Sequence, residues 1–94
     1  MTPEEELQRA GEAERLLAHP LLAEAFEAIE KEVIERWTQS PGADQAGREK
    51  LWLSLKLLHR IKLHLETIVQ NGKPAEATLK QRALRAVGLR RSEF

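Results

Sequence analysis

Cysteine is absent from this 94-residue chain. Its absence excludes a disulfide framework, a thiolate metal centre and a cysteine nucleophile. Tyrosine is also absent, aromatics make up only 4% of the residues, and β-branched residues are few. That composition argues against sheet. Asp44 is the only aspartate. Gly42 and Gly47 flank a helix start, but no Lys-Ser/Thr follows them, so no glycine-rich phosphate loop is present. A long uncharged apolar run is missing too. The best stretch, Leu51 to Val69, is interrupted by Lys56, Arg60, Lys62 and Glu66, which excludes a transmembrane reading. The opening Thr2-Pro3-Glu4-Glu5-Glu6 is acidic where a signal peptide would be basic and then apolar, so no targeting segment is expected. An intracellular setting is expected.

What is present is Leu, Ala, Glu, Arg and Lys, a helical composition in a chain long enough for one domain, 1–94. A chain of this size buries only about two-thirds of its unfolded surface. With disulfides excluded, self-association is the common remaining source of stability. The formal net charge is zero, but it conceals a division. Residues 1–44 carry eleven acids and four bases, net −7; residues 45–94 carry four acids and eleven bases, net +7. Either the halves face each other within the chain, or the basic half meets an acidic or anionic partner.

Apolar spacing predicts helices throughout. Thr2, Pro3 and Glu5 form a capping sequence for an amphipathic helix over about 3–18. His19-Pro20 ends it and starts a second helix over about 20–39. There Leu22, Phe26, Ile29, Val33 and Trp37 form one stripe. Ser40-Pro41-Gly42-Ala43 makes a turn, and Asp44 caps a third helix over about 45–70. Leu51, Leu55, Leu58, Leu65 and Val69 form its heptad-like seam, interrupted at Lys62. A second row, Leu57, Ile61 and Ile68, widens its apolar arc beyond the needs of one neighbour. Asn71-Gly72 reads as a stop, Pro74 as the start of a short fourth helix to about Val87, and Gly88 as its end. Residues 89–94 are expected to be a flexible or docked tail. The fold class expected is all-α: an antiparallel two-helix hairpin, 20–39 with 45–70, flanked by terminal helices in a small bundle.

No constellation favours catalysis, so a non-enzyme with no cofactor and no small-molecule substrate is expected. Ser40, Ser54 and Ser92 have no positioned base. His59 and His64 are five apart, about 140° around a helix, which does not suit a shared metal. Glu66 is a candidate partner for His59 across two turns. Trp52, Leu63 and Ile34 fall off the main stripes, and Phe94 is terminal. These four are the candidate protein interface, with the chain itself or another protein as partner. The competing reading is that the first or fourth helix covers Trp52 and Leu63. Lys80, Arg82, Arg85, Arg90 and Arg91 are the candidate contacts for nucleic acid or another anion.

From about Leu21 to Leu79 the chain resembles small helical proteins encoded in the virion-assembly gene clusters of tailed bacteriophages. The residues that carry the resemblance are Trp37, Asp44, Arg48-Glu49-Lys50-Leu51-Trp52, the row Leu55, Leu58 and Leu65, and Asn71-Gly72-Lys73. It implies a non-enzymatic structural or accessory role, present in many copies, and transfers no functional residue. The function expected is therefore an oligomeric structural or interaction protein; the resemblance implies a bacteriophage virion or assembly component, set in a virion or the host cytoplasm. The alternative is a small adaptor or inhibitor whose basic end binds nucleic acid or an acidic protein.

Overall fold

The computed structural model describes the backbone of residues 1–92 and the side chains of residues 1–88. It is all-α: α1 spans Pro3–Ala18, α2 Pro20–Gln39 and α3 Gln45–Ser92, with no strand among the described residues. Local chemistry accounts for the boundaries. The Glu5 amide donates to Thr2 Oγ1 at 3.2 Å, and Pro3 follows at the first helical position. His19, held extended ahead of Pro20, ends α1; its Nδ1 then accepts from the Leu21 amide at 3.2 Å and caps α2. Ser40 closes α2 by donating to the Trp37 carbonyl at 2.6 Å. Asp44 Oδ1 accepts from the Gly47 amide at 3.0 Å and opens α3.

The predicted stop at Asn71-Gly72 and the separate fourth helix are not formed. α3 runs through Gly72, Pro74 and Gly88 as one helix of 48 residues, and no glycine among the described residues has positive φ. The reason is the packing of α1. Gly72 is buried against Ala10, so closely that a Cβ at Gly72 would overlap the Ala10 Cβ. Ala13 of α1 and Ala75 of α3 are also buried. Gly72 is thus a point of close helix approach. Contact over this stretch offsets the lost amide of Pro74, which costs a helix about 3 kcal/mol.

α1 and α2 occupy successive lengths of α3, and α1 makes the more extensive contact. Ascending numbers meet descending ones: Glu4 with Arg82, Ala10 with Gly72, Glu30 with His59, Trp37 with Arg48. A compact bundle does not result. The molecule measures 79 × 24 × 16 Å, with a radius of gyration of 21.6 Å against about 12 Å for a compact domain of this length. Among the described residues the buried apolar ones are Ala10, Ala13, Phe26, Leu58 and Ala75. Phe26 and Leu58 come from the two predicted stripes. Ile29 and Trp37, also predicted to be core, remain exposed, because a cross-section two helices wide has no third layer to cover them.

Candidate interaction surface

The described side chains leave fourteen large apolar residues exposed, so surface, not interior, is where this sequence places its hydrophobic groups. Three of them, Ile34, Trp52 and Leu63, were singled out by their spacing. Ile34 is 47% exposed and Trp52 52%, and the structure brings them together across α2 and α3. They border one apolar hollow of about 260 Å³, lined also by Val33, Trp37, Leu51 and Leu55. The Arg48 guanidinium lies 4.2 Å from the Trp37 ring centroid, and Lys56 Nζ lies 4.9 Å from that of Trp52. Both rings therefore carry a cation beside an open apolar site. Neither α1 nor the distal part of α3 covers Trp52.

Leu63 is exposed at 60% but borders a different place. It lies eleven residues, or about 16 Å, along α3 from Trp52. With Leu57, Arg60, Ile61 and His64 it edges an open depression of about 560 Å³ lined by α3 alone. Leu57 and Ile61 are themselves about half exposed. Sequence reasoning noted their row but did not place it on a surface. It missed Trp37 altogether by assigning it to the core stripe. Phe94 lies outside the described residues.

The basic candidates do not form one face. At 100° per residue Lys80 and Arg82 point 160° apart. Lys80 pairs with Glu76 at 3.1 Å, and Arg82 with Glu4 of α1 at 3.5 Å. Arg85 is exposed, while the side chains of Arg90 and Arg91 lie outside the described residues. His59 faces Glu30 of α2 at 3.5 Å, not Glu66 as the sequence suggested, because α2 brings a carboxylate alongside it. Among the described residues no three His, Asp or Glu side chains gather as a metal site would require, and no helix is long and apolar enough to cross a membrane.

The chain matches no protein-family model, and no curated protein or solved structure shows significant similarity to it.

Proposed function

We propose that this chain is a non-enzymatic helical interaction protein that acts as an oligomer, as a particle component or an assembly factor. Its working form is a long antiparallel hairpin, with α1 and α2 in succession as one arm and α3 as the other. One observation carries the proposal. The accessible surface is 7749 Å², whereas a compact monomer of 10.7 kDa exposes about 5,500 Å². The excess of about 2,200 Å² per chain is of the size that obligate interfaces remove from each partner. Large apolar side chains are exposed along the rod, from Leu21 and Ile34 to Trp52, Ile61 and Leu84. Apolar residues gathered at an open hollow, as Ile34, Trp37 and Trp52 are, suit an association site.

Light scattering tests the reading directly: the wild type should run at a multiple of 10.7 kDa. Trp52→Glu should lower that mass without loss of helical circular dichroism. A wild type that stays at single-chain mass at high concentration sinks the proposal. The adaptor reading has less support, because Lys80 and Arg82 already face carboxylates. Retention on DNA that weakens steeply with salt would revive it.

A further inference from the structure

We infer that the occupant of the Ile34–Trp52 face is a second copy of this chain, related by a two-fold axis that runs along the rod and sets both turns at the same end. The inference deepens the oligomer reading above and rests on it.

The surface excess sets the scale of the partner, and the charge sets its identity. The arm containing α1 and α2 is net −7 and the arm containing α3 is net +7, so one neutral chain carries its own electrostatic complement. Two flat rods can be stacked by two kinds of two-fold axis in the plane of contact. An axis across the rod lays acidic arm on acidic arm and basic on basic. An axis along the rod lays each acidic arm on the other copy's basic arm. Complementary potentials fix register and suppress wrong pairings, so they select the second arrangement.

The local geometry agrees. Ile34 and Trp52 border one hollow from opposite arms, so they lie at one level of the rod. The longitudinal axis sets Ile34 of each copy against Trp52 of the other, over the apolar floor of Val33, Leu51 and Leu55. Glu30, paired with His59 at 3.5 Å, lies close to the same level as Lys56 and His59 of the second copy. Glu27, one turn before Glu30 and also exposed, extends the acidic edge.

The absence of cysteine makes a direct test available. Full-length Ala43→Cys, in the exposed turn, and full-length Gln81→Cys, on exposed α3, each take one nitroxide label. Dipolar distance measurement on each labelled protein should give a short separation at both sites, on the order of two helix diameters or ~20 Å. For any axis across the rod the two separations along it add to at least about 110 Å, so at least one must exceed about 50 Å. A long distance at either site in a species of doubled mass overturns the axis and leaves self-association standing. Absence of dipolar coupling together with single-chain mass removes the oligomer reading itself. Trp52→Glu in the labelled backgrounds should weaken association on the order of thirtyfold, as loss of a buried aromatic anchor does. Short distances that persist unchanged in that variant would overturn the assignment of this face.

Discussion

Gly72 and Ala10 set how closely the chain's first helix approaches its last. A Cβ at Gly72 would overlap one fixed rigidly to the α1 backbone, so the helices would have to separate. Gly72→Ala should therefore destabilise, since overpacking of about 1–3 kcal/mol exceeds a helix-propensity gain of about 1 kcal/mol. Gly11 has only the end of the Arg15 side chain near its would-be Cβ. Gly11→Ala should keep the gain and raise the melting temperature by about 4–8 °C. Parallel thermal melts decide the matter: a Gly72→Ala protein that melts higher, like Gly11→Ala, would show the close approach is not made. Phe26 is the largest buried side chain among the described residues, on α2, which packs mainly against α3. Truncation to Ala should cost about 3–5 kcal/mol in urea unfolding, and a loss below 1 kcal/mol would mean the two helices do not depend on it.

At the scale of elements, α3 shows a local stop signal being overridden. Asn71, Gly72 and Pro74 each favour termination, yet the helix continues to Ser92. The signal for continuity was in the register. Leu65, Gly72 and Leu79 are spaced by seven, and Val69, Glu76 and Ala83 by seven, so the seam of Leu51, Leu55 and Leu58 keeps its phase across the proline. Small residues at the crossing admit α1, whose burial offsets the missing amide. Pro74→Ala should accordingly stabilise the fold by up to about 3 kcal/mol and raise the helical signal without changing the mass in solution. No gain in stability would imply that α3 is already broken there. Thr2 and Asp44 act more locally and cap as their sequence positions suggested, while His19, read only as a break, also caps α2.

At the scale of the molecule, a rod 79 Å long and two helices wide cannot enclose its apolar residues. If a partner copy completes the core, the melting temperature must rise with protein concentration, because association stabilises only the folded form. A melt independent of concentration over two decades would contradict an associated native state. The polar contacts between the arms, Glu30–His59 and Glu4–Arg82, are exposed, and the Glu4–Arg82 ion pair is worth no more than about 1 kcal/mol. Moderate salt should therefore slow or reorient assembly more than it weakens it. That Ile34 and Trp52 would stand exposed was legible, because each lies off its helix's stripe. Their meeting around one hollow with Trp37 was not, because it depends on how α2 lies across α3.

Composition and periodicity determined what is set by neighbours within a turn or two. They fixed helical structure throughout, the caps at Thr2 and Asp44, the break at His19-Pro20 and the opposition of charge between halves. Contacts distant in sequence decided the rest. Whether Gly72-Lys73-Pro74 ends a helix depends on a burial energy contributed by α1, some sixty residues away. Whether Trp37 and Ile29 are core depends on how many layers the molecule has, and a rod of this cross-section leaves both at its surface.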